Sequence, residues 1–217
     1  MALEQNMSLK QIRSFIEDEV KPQIRIEIKP LLYKGQDQGG YFGVTRQVMC
    51  FVDFLGALYA GYNGELKYGR MDISNSKKAM QFIHEILGDE IDKKYRENGE
   101  ELYAMYRHGL VHLYQPKNVV QKNKRVLKWF AYKGRRIKKI VEAGSNKGKL
   151  IIRNVRHLGV MQDPRDINID LLPISIDCLY SDLMKAIDIY FRKIKNNRKC
   201  LINWQHTANA IIQAEPI

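Results

Sequence analysis

Apolar residues recur at helical spacing along most of the chain, and that spacing is interrupted once. From Ser8, the run SLKQIRSFIEDEV places Leu9, Ile12, Phe15 and Ile16 on one face, with Ser8 positioned to cap the helix. Pro22 either interrupts this helix or opens a second, in which Ile24, Ile28 and Leu31 face a core. The alternation in QIRIEIK fits a strand equally well. Tyr41–Tyr62 is nearly all apolar and predicts a long buried helix after a Lys34–Gly40 loop. A Gly-rich connection, Asn63–Asp72, leads to a helix over Ser76–Leu87 with Ala79, Met80, Ile83 and Leu87 inward and Gly88 closing it. Asp89–Arg96 reads as a short polar helix or turn, and Asn98 is placed to cap the helix after it. Glu101–Lys117 is again helical by pattern, with Leu102, Tyr106, Leu110 and Leu113 at spacings of three and four and Pro116 ending the run.

Beyond Pro116 the period shortens. Val126–Tyr132 and Lys149–Val155 are β-type runs, RRIKKIVEAG between them alternates loosely, and Gly144–Gly148 is a turn. His157–Gln162 and Asp166–Leu172 add short strands. Helical period returns over Asp177–Lys195, with Leu179, Leu183, Ala186, Ile187 and Tyr190 on one side. The stretch after Asn196 is mildly amphipathic, and the pattern alone does not place it. These readings predict a mainly α protein, one domain over residues 1–217. About five helices, in 8–116 and 177–195, form a bundle, and a small, basic, largely antiparallel β insertion at 119–175 precedes the last helix.

Charge sharpens this picture. The chain carries a formal +12 over 217 residues, yet Lys117–His157 alone holds nine lysines and five arginines against one acid, Glu142. That segment's +13 exceeds the whole, so the remainder is close to neutral. A charge so localised predicts a polyanion partner, RNA or DNA, whereas a solubility charge would be spread out. The nucleic-acid-binding candidates are Lys124, Arg125, Lys128, Lys133, Arg135, Arg136, Lys138 and Lys139. Trp129, Phe130 and Tyr132 lie among them, and interleaved aromatic and basic side chains can stack bases and neutralise phosphates. Strand alternation puts Leu127, Trp129 and Ala131 on one face, so at least one aromatic faces the core. The three cysteines, Cys50, Cys178 and Cys200, lack Cys-x-x-Cys spacing and read as free thiols in a reducing compartment. Met1–Gln11 has no apolar signal-peptide core, and Arg46 and Asp53 interrupt the best apolar run. The expectation is a cytoplasmic protein that spans no membrane.

Arg107, His108 and His112 gather three polar groups within six residues of the Glu101–Lys117 run, with Gly109 among them. Glycine costs about 1 kcal/mol against alanine inside a helix. Its presence here predicts close approach by another backbone or a ligand. An arginine followed by a polar residue, with a histidine five positions after the arginine, resembles the motif of the HEPN superfamily, helical-bundle proteins that include RNA-cleaving toxins and defence nucleases. The resemblance covers about a fifth of the chain. It implies an HEPN-like bundle and a metal-independent endoribonuclease needing no cofactor, in which the ribose 2′-OH attacks phosphorus and leaves a 2′,3′-cyclic phosphate. By position His112 would be the acid/base or 2′-OH-orienting residue, Arg107 the phosphate clamp and His108 a supporting group. These residue types suit the chemistry: histidine titrates near pH ~6.5, and arginine offers a rigid donor fork. The family also implies a homodimer and allows an antitoxin or nucleotidyltransferase partner.

Other readings remain open from the residues alone. His108 and His112 stand four apart, a spacing that puts two metal ligands on one helical face, although no HExxH or third-ligand cluster accompanies them. Gly-x-Ser-x-Gly, Gly-x-Gly-x-x-Gly and Walker loops are absent. A nucleic-acid-binding module without catalysis fits the basic segment as well as a nuclease does.

Overall fold

The computed structural model describes residues 3–33, 39–61, 75–109, 115–142, 149–163 and 165–212. The predicted Asn63–Asp72 connection, the Gly144–Gly148 turn, most of the Lys34–Gly40 loop and His112 lie outside them. The chain is mainly helical with a small mixed sheet. It divides into two compact units, one of Met1–Lys29, Cys50–Glu97 and Asp182–Ile217 and another of Pro30–Met49 and Asn98–Ser181.

The first unit opens with α1, Leu9–Phe15. Ser8 caps it as predicted, its hydroxyl accepting from the Gln11 N–H while the Gln11 side chain returns to the Ser8 N–H at 2.9 Å. A π-helical turn, Ile16–Val20, carries the chain into α2, Lys21–Leu32, and the Lys21 N–H bonds to the Ile16 carbonyl. Pro22 therefore interrupts nothing. Helix and strand readings of QIRIEIK make opposite demands on three isoleucines. A strand would align Ile24, Ile26 and Ile28 on one face, whereas a helix aligns only the outer two. Ile24 and Ile28 are 0% exposed and Ile26 is 68% exposed, so helix period decides.

Helix α3 spans Tyr41–Ala60, and α4, Asn75–Phe82, continues into a π-helical turn at Ile83–Gly88. A Cβ on Gly56 would meet Ala79 Cα and the Lys78 carbonyl oxygen at 2.8 Å, so glycine lets the backbones of α3 and α4 touch. The unit's core is mostly aliphatic and holds an aromatic cluster. Tyr190 lies edge-on to Tyr59 and Phe82, with ring centroids 5.5 and 6.0 Å away, and Trp204 packs against Tyr190 and Phe15. Tyr190 belongs to α6, Ile176–Asn196, and Trp204 to α7, Arg198–Ile212, which resolves the stretch that pattern alone left unplaced. Thr207 and Asn203 of α7 donate to the Ala57 and Tyr59 carbonyls. Lys21 is buried between Asp188 and Glu17, at 2.5 and 2.7 Å.

In the second unit the β elements are β1 (Val119–Val120), β2 (Val126–Tyr132), β3 (Arg136–Glu142), β4 (Lys149–Arg156), β5 (Met161–Gln162) and β6 (Ile169–Ser175). They form a four-stranded sheet, β1-β2-β6-β5, and a separate two-stranded ribbon, β3-β4. The largely antiparallel expectation needs correcting: β2 and β6 pair in parallel along their full length, from Val126↔Ile169 to Tyr132↔Ser175. The three other ladders are antiparallel.

Strand β6 also runs past Leu172 through Pro173. That proline has no N–H to donate, but its carbonyl accepts from the Leu158 N–H at 2.7 Å. Ser175 ends β6 and caps α6, accepting from the Cys178 N–H at 3.1 Å and donating to the Gly134 carbonyl at 2.6 Å. The Ser175 N–H in turn donates to Nδ1 of the buried His157 at 3.0 Å. Tyr132 and Val155 form a small buried cluster with Phe130 and Met161 against it.

Candidate functional site

Arg107 and His108 reach their positions through a helix that changes geometry twice. Helix α5, Lys94–Leu102, is kinked at Asn98 (φ −127°, ψ 16°), whose side chain donates to the Leu158 carbonyl at 3.3 Å. The sequence places a cap here, and the structure places the junction of two helical segments. Tyr103–His108 then forms a π-helical turn. Such a turn brings residues five apart into the axial alignment that residues four apart have in an α-helix. Tyr103 and His108 show the result: their rings meet edge to face at a centroid distance of 5.3 Å.

Leu102, Tyr103, Met105 and Tyr106 are buried, whereas Arg107 and His108 are half-buried. Burial pushes the Tyr106 hydroxyl far above its ordinary pKa, so it remains protonated. The structure thus brings Arg107 and His108 together at the edge of an apolar helical turn, while His112 lies outside the described residues.

The reason for Gly109 is visible. Its missing Cβ would stand 2.6 Å from the Gln115 carbonyl oxygen and from the Lys117 nitrogen, and 2.9 Å from Pro116 Cα. The Lys117 N–H also donates to the Met105 carbonyl at 3.1 Å. Another backbone does approach this glycine, and it is the chain's own. This corrects the expected helix end, since Gln115–Lys117 is not helical and folds back onto the turn that precedes it. Pro116 supplies the physical cause: it disfavours α conformation in the residue before it and cannot donate a helical hydrogen bond.

The predicted nucleic-acid-binding residues fall into three groups. Arg125 is committed to Asp170, with Nε donating to one carboxylate oxygen at 2.7 Å and a terminal nitrogen to the other. Lys133 is buried, its ammonium 5.3 Å from the Tyr41 ring centroid, where the ring face attracts the charge. Neither is presented outward. Lys124 and Arg135 are exposed and Lys128 is half-buried. Arg136, Lys138 and Lys139 belong to β3.

The aromatics of β2 also have protein partners. Trp129 meets Phe42 edge-on at 5.3 Å, and Phe130 stacks on Tyr132 at 5.9 Å. Tyr132 is buried, in line with the expectation that at least one of the three belongs to the core. Sequence reasoning missed Asp170 and Tyr41. Asp170 lies 45 residues from the arginine it binds, and only the parallel β2–β6 pairing brings it near.

A second carboxylate is buried close by in the same unit. Asp163 is held below the ordinary carboxylate range, chiefly by the side-chain hydrogen bonds of Arg165 at 2.7 and 3.0 Å, against the opposing effect of burial, with Lys128 adding a smaller push. Among the described residues, no group of three or more His, Cys, Asp or Glu side chains converges as metal ligands would. Cys178 is half-buried and Cys200 buried, whereas Cys50 is exposed, contrary to its apolar sequence surroundings. No described helix is long and apolar enough to cross a membrane. No family model matches the chain, and comparisons with curated proteins and with solved structures return no significant match.

Proposed function

We propose that the protein binds nucleic acid through Lys117–His157. The observation that carries this reading is the confinement of the excess charge to one stretch of β structure. Within that stretch Lys117, Lys122, Lys124, Arg135 and Arg156 are exposed. A ligand with regularly spaced phosphates complements such a surface, and its binding releases condensed counterions. Log affinity therefore falls steeply with log salt. Reversing Arg135, Arg136, Lys138 and Lys139 to glutamate abolishes binding while circular dichroism keeps its helical signal. No binding to RNA or DNA at low salt refutes the reading.

A second reading, HEPN-like metal-independent RNA cleavage in the cytoplasm, is favoured by the placement of Arg107 and His108. They share a π-helical turn, and such turns recur at functional sites. In this reading Arg107 neutralises the scissile phosphate, His112 moves or orients the 2′-OH proton, and His108 supports them. The active form is a homodimer, and a toxin-type role allows an antitoxin or nucleotidyltransferase partner. Purified protein then cuts RNA in EDTA and leaves 2′,3′-cyclic ends. Arg107→Ala and His112→Ala each slow cleavage by at least ~100-fold, and His108→Ala does less. Equal cleavage by all variants refutes this assignment, as does a monomer by light scattering for the dimer. Activity lost in EDTA turns the assignment toward His108 and His112 as metal ligands.

A further inference from the structure

The β3–β4 ribbon stands apart from the four-stranded sheet in pairing and in charge. Among the described residues neither of its strands pairs with a third. Its strands carry Arg136, Lys138, Lys139, Lys149, Arg153 and Arg156 against the single acid Glu142. Arg136 and Arg156 are direct cross-strand partners. Like charges opposite one another destabilise an antiparallel pair. An isolated two-stranded hairpin is marginal in water, and here it is the Val155 end of β4 that packs on Tyr132 of the sheet. Both costs fall when a polyanion lies against the ribbon.

The same unit argues against a single strand as that polyanion. Single strands are held by successive bases stacking on aromatic faces. Here Trp129 and Phe130 already have Phe42 and Tyr132 as ring partners, and Tyr132 is buried. At the two ends of β2, moreover, Lys133 is buried and Arg125 is paired with Asp170, so the outward charge of the sheet is confined to Lys117, Lys122 and Lys124 around β1 and offers no continuous track for a flexible backbone. What remains is a narrow basic ribbon seven to eight residues long on its two strands. At about 3.3 Å per residue it reaches roughly 25 Å.

We propose that the β3–β4 ribbon enters the major groove of B-form DNA, making a DNA duplex the ligand of the basic segment. This rests on the nucleic-acid-binding reading above and narrows it. The B-form major groove, about 12 Å wide, admits a two-stranded ribbon, whereas the A-form RNA groove is too deep and narrow. The register shift between Ile137 and Lys139 marks a bulge, which increases local twist and helps a ribbon follow a helical groove.

The test measures affinity of the full chain for one sequence as DNA duplex, RNA duplex and DNA single strand, across a salt series. The DNA duplex binds at least ~10-fold tighter than either competitor. Six phosphate contacts give a log–log salt slope of about −5 for the DNA duplex. The double variant Lys139→Glu with Arg153→Glu weakens duplex binding by at least ~100-fold and makes the slope shallower by about 2 units. Should that variant fold poorly, Lys139→Gln with Arg153→Gln takes its place. In wild type, amide hydrogen exchange over 136–142 and 149–156 slows when DNA duplex is added. Equal or tighter binding of the single strand or the RNA duplex overturns the groove assignment while leaving nucleic-acid binding intact. Unchanged ribbon exchange on saturation with DNA duplex also overturns it. No binding to any of the three overturns the underlying reading as well.

Discussion

Replacing Gly109 with alanine sets two effects of opposite sign against each other. Helix propensity favours alanine by about 0.8–1 kcal/mol at such a position. Packing opposes it. The new methyl would lie 2.6 Å from both the Gln115 carbonyl oxygen and the Lys117 nitrogen. Both are backbone atoms, so no change of rotamer relieves the contact. Forcing an extra carbon into a packed site costs about 1–3 kcal/mol. If the 115–117 segment moves away instead, the Lys117 N–H to Met105 hydrogen bond is lost, worth about 1 kcal/mol. With two backbone atoms at 2.6 Å the steric cost lies in the upper part of its range and exceeds the propensity gain, leaving a net destabilisation of about 1–2 kcal/mol. At roughly 2–4 °C per kcal/mol for a chain of this size, the melting temperature drops by about 2–8 °C. Thermal and urea melts followed by circular dichroism measure both. A Gly109→Ala protein at least as stable as wild type would show that propensity governs this position and that the returning backbone does not rest on it.

Two further predictions concern buried charge. Lys21→Met destabilises by about 1 kcal/mol, since Glu17 and Asp188 are 47% and 59% exposed and stay hydrated when their partner goes. Burial alone would lower the Lys21 pKa, but the hydrogen bonds to Asp188 and Glu17 outweigh it and raise the value. The lysine's contribution is therefore complete below the ordinary pKa of ~10.4 and fades as pH rises through the raised one, so urea midpoints of wild type and variant converge as pH climbs beyond ~10.4. Asp163→Asn costs about 1 kcal/mol at neutral pH, the low end for a charge-assisted pair because Arg165 is 58% exposed. Its depressed carboxyl contributes above the ordinary ~3.9 and loses that contribution as pH falls through the native value, so melts from neutral pH down to below ~3.9 show the gap closing on the acid side.

Local chemistry was legible in the sequence. The Ser8 cap, the long helix from Tyr41 and the strand Val126–Tyr132 follow from residues close along the chain, and each stands where the pattern put it. Gly109 was legible too, because a mid-helix glycine costs enough to require a reason. Partners distant in sequence were not. Nothing near Val126 signals that it pairs in parallel with Ile169, and without that register Arg125 looks like a solvent-facing cation. The expected strand ends at Leu172, whereas β6 continues through Pro173 to Ser175. Proline is a strand breaker where an N–H is needed, but this position calls on its carbonyl. The π-helical turns also escape pattern reading, since Ile83–Gly88 and Tyr103–His108 carry no residue that marks a change from four-residue to five-residue bonding. For the candidate site, the residue types and their neighbourhood could be read directly, whereas the commitment of Arg125 and Lys133 to internal partners required coordinates.

The aromatic cluster joining Phe15 to Trp204 has a consequence during synthesis. The ring partner of Phe15, in α7, is translated nearly two hundred residues after it. At roughly 5–20 residues per second, the wait is about 10–40 s. Throughout it, the apolar face of α1 lacks α7, whose Trp204 packs on Phe15. The nascent chain therefore holds this face without its aromatic partner for far longer than a helix packed on its sequence neighbour would. A ribosome stalled before Trp204 would release a product whose first helices still lack that tryptophan.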